Sequence, residues 1–392
     1  GEARKRTTKA AIYLPEEPIA PAQRSSPCHE DELLVGHLLF ADDVSSFRLI
    51  PVPSIAKRKI NNLMKKFISI LFSTLLTAPL VQAEQDHIVY EGKGGPGKGK
   101  HLVFLTGDEE YRGEEGLPMM AKILSQHHGF KCTVLFSLND KGEIDPNNQK
   151  SLTHPEALDT ANAIIMLLRF RTWEAPIYKH FDDACNRGVP IIGLRTSTHA
   201  FRGKIGGFGK RVLGEGWVSH WGGHKREATR GAIEPSEKNN PIFNGVTDVF
   251  GDTDVYEAYP AKDSKILLRG LVLENMKPDS KPSTRERKKG RGINDPAMAV
   301  AWTRNYKWPS GKTSKIFCST MGAATDLQSE GLRRLVVNAV YAGLEMAVPK
   351  KANVDYVDPY KPLFYGFNSF RRGIKPSDHA LGKVLPAGQK KK

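Results

Sequence analysis

Short apolar runs, separated by stretches with helical spacing, limit what this chain can fold into more than any other feature. HLVFLT at 101–106 is apolar without alternation between its ends, as a strand buried on both faces must be. AIIMLL at 163–168 and VPIIGL at 189–194 have the same texture, and 132–136 reads as a further strand. Between them, 116–128 and 175–187 carry helical spacing, the second ended by Gly188. Strands alternating with helices predict an α/β fold: a doubly wound, mostly parallel sheet with right-handed crossovers. Further strands are expected at 228–233, 255–259, 266–272, 298–303 and 316–320. A helix at 329–344, with the amphipathic core LRRLVVNAVYAGL, closes the domain. No internal repeat is found.

An export signal lies inside the chain. MKKFISILFSTLLTAPLVQA at 64–83 has two lysines, an apolar stretch at 67–80 and the small-residue cleavage site Val81-Gln82-Ala83. That stretch, 14 residues broken by Thr77 and Pro79, is shorter than the roughly 20 a membrane span requires. The expectation is cleavage near Ala83, contact with a membrane only during export, and a periplasmic or extracellular product. Residues 1–63 mix charges without periodicity ahead of a signal, so they read as a disordered upstream segment, either not native to the protein or brought in by a start site placed too far upstream. Residues 84–100, with EGKGGPGKGK, read as a Gly/Lys linker, 101–348 as the domain, and 349–392 as a tail that packs on it and ends in a disordered basic stretch.

Much of the net charge of +15 sits in KPDSKPSTRERKKGRG at 277–292 and the terminal lysines, which read as solvated segments rather than a nucleic-acid stripe. An acidic polymer is the polyanion this charge leaves open. Cys132, Cys185 and Cys318 are an odd count at wide spacing, each inside an apolar pattern, so buried packing is expected rather than a disulfide framework.

GKHLVFLTGDEEYR, VPIIGLRTSTHAF, NNPIFNGVTDVFGDTDVYEAYP and DPAMAVAWTRNY with KIFCSTMGAATDLQSEGLRRLVVNAVYAGLEM occur in that spatial logic over 98–348. Together they resemble the trehalose-utilisation (ThuA-like) family, whose fold is similar to the flavodoxin-like fold of class I glutamine amidotransferases. The active amidotransferases place a cysteine nucleophile in a P-x-x-G-x-C-x-G-x-Q elbow. Laid onto Pro190 to His199, that elbow has Arg195 at the nucleophile position. A guanidinium stays protonated and has no lone pair to offer, so glutaminase chemistry is excluded. No His-x-Glu follows the last strand either.

In an open parallel sheet, ligands bind beyond the carboxyl ends of the strands. The loops there hold Asp108, Glu109, Glu110, Tyr111 and Arg112; Arg169 and Arg171; and Arg195, Thr196, Ser197 and His199. Glu110 and His199 are the expected acid–base pair, with Arg195 and Arg169 as electrostatic stabilisers. Ser197 lacks the G-x-S-x-G frame of a hydrolase elbow. The Gly, His and Trp-rich stretch 196–229 adds Trp217, which could stack on a sugar ring, and His220 and His224 as a substrate wall. Gly222 and Gly223 break the helical geometry that would let the histidines share a zinc, so neither metal nor cofactor is expected.

The resemblance implies an exported protein acting on a small-molecule or oligosaccharide substrate, a carbohydrate or keto-sugar derivative. The rival is a glycan- or protein-binding module without turnover on a degenerate amidotransferase-like fold. The oligomeric state stays open.

Overall fold

The computed structural model describes residues 85–388. The expected signal peptide at 64–83, the segment 1–63 and the last basic residues lie outside the described residues. In chain order the strands and helices are β1 (His87–Tyr90), β2 (His101–Gly107), α1 (Gly113–His128), β3 (Lys131–Leu135), β4 (Ala163–Leu168), α2 (Ala175–Asn186), β5 (Ile191–Leu194), β6 (Ser219–His220), β7 (Thr229–Ile233), β8 (Val249–Gly251), β9 (Tyr256–Glu257), β10 (Lys265–Val272), β11 (Glu286–Lys288), β12 (Arg291–Gly292), β13 (Met298–Lys307), β14 (Thr313–Ser319) and α3 (Glu330–Gly343).

Among the described residues, ten strands form one mixed sheet in the order β1-β3-β2-β4-β5-β14-β13-β10-β7-β8. Its centre, from β3 to β14, is parallel throughout. Consecutive side chains of a central strand point to opposite faces, and both faces are covered. Leu102 and Phe104 join Leu117, Met120, Leu335 and Val336 of α1 and α3 in one core. Val103 and Leu105 join Phe181 and Cys185 of α2 in the other. This is the α/β fold the apolar runs require.

Beyond β14 the sheet turns antiparallel, through β13, β10, β7 and β8. The turn from β13 to β14 is too short for the crossover that a parallel pair needs. At the other edge, the stretch 84–100 is not a linker throughout. His87–Tyr90 pairs antiparallel with β3, burying Ile88 and Tyr90, so the folded unit begins before residue 101. Four residues are too few to stand out as a period beside a glycine run. The tail packs on this body: the Tyr90 hydroxyl donates to the His379 carbonyl at 2.7 Å, and Lys122 pairs with Asp358 at 2.6 Å. No helix among the described residues is long and apolar enough to cross a membrane.

The loop after β5 is wedged against the turn at 209–213. A Cβ on Gly209 would stand 1.7 Å from the Thr198 carbonyl oxygen and 3.0 Å from that of Glu215. Backbone cannot yield as a flexible side chain does, so Gly209→Ala is expected to lower stability by about 1–3 kcal/mol. Urea unfolding with an unchanged slope and a lower midpoint is the readout.

Candidate functional site

The sheet order reverses between β2 and β4, which puts the loop after β2 beside the loops after β4 and β5, where open α/β sheets receive ligands. Asp108 folds the first of these loops. One carboxylate oxygen accepts the amides of Glu110 at 2.7 Å and Tyr111 at 2.5 Å, and the other accepts the Thr196 hydroxyl, tying the β2 loop to the β5 loop. Burial pushes the Asp108 carboxyl upward, against these hydrogen bonds.

Several residues expected to touch substrate commit their polar atoms to the protein instead. Glu109 pairs with Arg169 and, at 3.1 Å, with the wholly buried Arg171. Arg112, at φ 58°, donates to the carbonyls of Glu109 at 2.6 Å and Gly366 at 2.7 Å. The Ser197 hydroxyl donates to the Met166 carbonyl at 2.9 Å and is buried. These are struts, since a buried polar group must find its partners inside.

Arg195 follows β5 at φ 44°, and its side chain is wholly buried. One guanidinium nitrogen donates to the carbonyls of Asp254 and Thr320, both at 2.8 Å. The other donates to Asp254 Oδ1 at 3.0 Å and the Tyr111 hydroxyl at 3.2 Å. Its plane lies over the Tyr256 ring, 3.7 Å from the centroid. The expected electrostatic stabiliser thus reaches the site through Asp254.

Asp254 is the centre that sequence reasoning missed. His220 Nδ1 lies 2.7 Å from its Oδ2, and His224 Nδ1 lies 3.1 Å from its Oδ1. His224 Nε2 lies 3.3 Å from Glu110 Oε1, so a continuous polar chain runs from Glu110 through His224 and Asp254 to Arg195. Burial acts to raise the Asp254 carboxyl, but the hydrogen bonds from His220 and His224 and the Arg195 charge hold it well below the usual carboxylate range. Hydrogen bonds to Asp254 and then Glu110 raise His224 to about 9.

His199 is placed differently from the expectation. Its ring packs 5.1 Å from both Phe170 and Trp217, and its Nδ1 contacts the Thr198 hydroxyl at 3.1 Å. Burial, then the charges of Arg169 and Arg195, push it down to about 3, so it stays neutral and is a poor proton carrier at physiological pH. The histidine joined to Glu110 is His224.

Of the two tryptophans, Trp221 is 1% exposed and packs in the core, while Trp217 is 39% exposed. Trp217 lies against His199, His220 at 4.9 Å and Tyr256 at 4.5 Å. The tail adds Tyr365, 5.2 Å from Tyr111 and 5.7 Å from His224, and Phe367 under Arg169 at 5.0 Å. The aromatic segment PYKPLFYGFNSFRRG at 359–373 is plain in sequence; its destination is not. Cys132, Cys185 and Cys318 are buried, and burial pushes each thiol upward, so none offers a thiolate.

No protein-family model matches the chain, and no curated protein matches it. Among solved structures it is similar to a ThuA-like protein of Parabacteroides merdae, with 12% identity and a TM-score of 0.44, over 64% of this chain and 92% of that one. A ThuA-like protein of Bacteroides uniformis is similar at 17% identity and a TM-score of 0.40, over 63% of this chain and 91% of that one. The mmIFT52 N-terminal domain follows at 11% identity and 0.35, over 63% and 97%. No residue role passes to this chain from neighbours this distant.

Glu114, at the start of α1 behind the β2 loop, is buried with neither carboxylate oxygen hydrogen-bonded and Arg112 at 3.5 Å. Burial first, and Glu115 with it, raise its carboxyl to about 7 despite Arg112. A raised folded value means that its stabilising contribution is full below the unfolded value near 4.5 and is lost as pH rises through about 7. Glu114→Gln is therefore expected to gain about 1–3 kcal/mol on wild type between pH 5 and pH 8. Paired thermal melts at the two pH values measure it.

Proposed function

We propose that the chain turns over a carbohydrate or keto-sugar derivative by acid–base chemistry, with Glu110 as the proton-transferring group. The observation that carries this reading is the Glu110–His224–Asp254–Arg195 chain beside the half-exposed Trp217. A general acid or base works when its carboxylate is oriented and its surroundings are anchored, and His224 holds Glu110 while Asp254 holds His224. Trp217 offers a ring face to a sugar, whose axial hydrogens stack well on aromatic surfaces, and the buried Tyr365 packs behind the site against Tyr111 and His224. His199 lines the site as a neutral imidazole, and Arg169 beside it attracts an oxygen that gains negative charge.

Glutaminase activity has no place in this reading. Arg195 occupies the elbow position, is wholly buried and cannot attack a carbonyl. A site built from titrating groups also favours turnover over simple glycan binding, which needs aromatics and amides more than proton carriers. The same reading has the protein exported and cleaved near Ala83; N-terminal sequencing of the mature protein from the producing cell would find Glu84 first, and a chain still carrying 64–83 would overturn export.

The full chain should be assayed on disaccharides and 3-keto-disaccharides with product analysis. Glu110→Gln is expected to lower kcat/KM by about 100-fold or more, while Trp217→Ala raises KM with a smaller change in kcat. Sugar binding by calorimetry with no product from any substrate would instead support the binding module.

A further inference from the structure

We propose that His220, His224 and Asp254 bind one divalent transition-metal ion of the zinc type. Each of the three residues offers one donor atom, and these atoms all lie within 4.8 Å of one another. Two donors of a tetrahedral ion at about 2.1 Å stand about 3.4 Å apart. The contact of His220 Nδ1 with Asp254 Oδ2, at 2.7 Å, therefore needs to open by about 0.7 Å to admit it, and His224 Nδ1, 3.1 Å from the neighbouring Oδ1, stands on the same carboxylate.

The donors are also held as ligands are held. His220 pairs with Tyr256 across β6 and β9, and the amides of Trp221 and Gly222 donate to the Val255 carbonyl at 2.8 and 3.0 Å. Backbone thus locks the histidine turn to the segment that carries Asp254. The Nε2 of His224 faces the Glu110 carboxylate at 3.3 Å, which fixes the ring with Nδ1 toward the shared point. A carboxylate on the far nitrogen of a ligating histidine orients the ring and raises its basicity. Arg195 steadies Oδ1 of Asp254 and leaves Oδ2 for the ion, while Glu110 supplies a second negative charge nearby.

Two imidazoles and one carboxylate favour zinc-type ions over calcium or magnesium, which prefer all-oxygen sets. Asp254 is buried beneath, but the side chains of His220 and His224 are 36% and 28% exposed. Three protein ligands with an open outer side are the pattern of a catalytic rather than a structural site. Gly222 and Gly223 do rule out a helical His-x-x-x-His pair. The fold reaches the same convergence by strand pairing, with the third ligand coming from the segment before β9. Binding of the ion stands apart from the proposed turnover; a Lewis-acid role for it rests on that reading.

The test uses the full chain stripped with chelator, titrated with Zn²⁺ by calorimetry and with Co²⁺ by visible absorption. The expected result is one Zn²⁺ per chain and cobalt d–d bands. His220→Ala and His224→Ala should each weaken affinity by about 100-fold or more, and His180→Ala, a surface control, should bind as wild type. Circular dichroism checks folding, and the milder His220→Gln replaces any alanine variant that unfolds. Substoichiometric Zn²⁺ in the wild type, or histidine variants that bind as tightly, would overturn the site. Turnover by protein that binds no zinc removes the metal alone; stoichiometric zinc with no sugar product removes the proposed reaction alone.

Discussion

The buried contact between Arg195 and Asp254 ties the loop after β5 to the segment before β9, and the candidate site is built on it. Both side chains are fully buried, so each lost its water on folding. A buried ion pair tolerates that cost when its remaining donors and acceptors are also satisfied. Here Arg195 donates to two carbonyls and the Tyr111 hydroxyl and lies on the Tyr256 ring, while Asp254 accepts from both histidines. Removal of either partner leaves an uncompensated buried charge, a loss of about 3–5 kcal/mol. The pair joins the end of β5 to the segment before β9 and the end of β14, and through Asp254 it sets the directions of His220 and His224.

Around that contact the site is layered. Residues immediately beyond the strands, Asp108, Glu109, Arg112, Thr196 and Ser197, build the loops. Residues one step farther out, Trp217, His220 and His224, reach solvent, with the buried Glu110 directly beneath His224. The layering follows from burial: a polar group against the sheet ends must be saturated internally, and one at the rim is free to exchange its partner for a ligand. The tail completes the rim by carrying Tyr365 and Phe367 back over the body, with Gly366 accepting from Arg112 and donating to the Glu110 carbonyl.

Most of the fold was legible in sequence. The uninterrupted apolar texture of β2, β4 and β5 belongs to strands covered on both faces, and the helices α1, α2 and α3 fall where periodicity and glycine stops place them. In the antiparallel half β7, β10 and β13 were legible as strands but not as pairings, β8 was not anticipated, and β1 was hidden because four residues beside a glycine run carry no period. Of the site, Glu110, Trp217, His220 and His224 were legible as residue types that do chemistry in loops. Their partner was not, because Asp254 sits 34 and 30 residues along the chain from the two histidines and no spacing rule links it to them.

The sequence by itself determined the α/β layering, the positions of the central strands and helices, and that position 195 holds a group unable to act as a nucleophile, because apolar period, turn residues and the chemistry of a guanidinium act locally. Tertiary structure alone decided that Arg195 faces Asp254 rather than substrate, that His199 is neutral and His224 is joined to Glu110, and that a tail tyrosine closes the rim. Those outcomes depend on burial and on distances between segments far apart in the chain, and neither quantity exists until the sheet has brought the segments together.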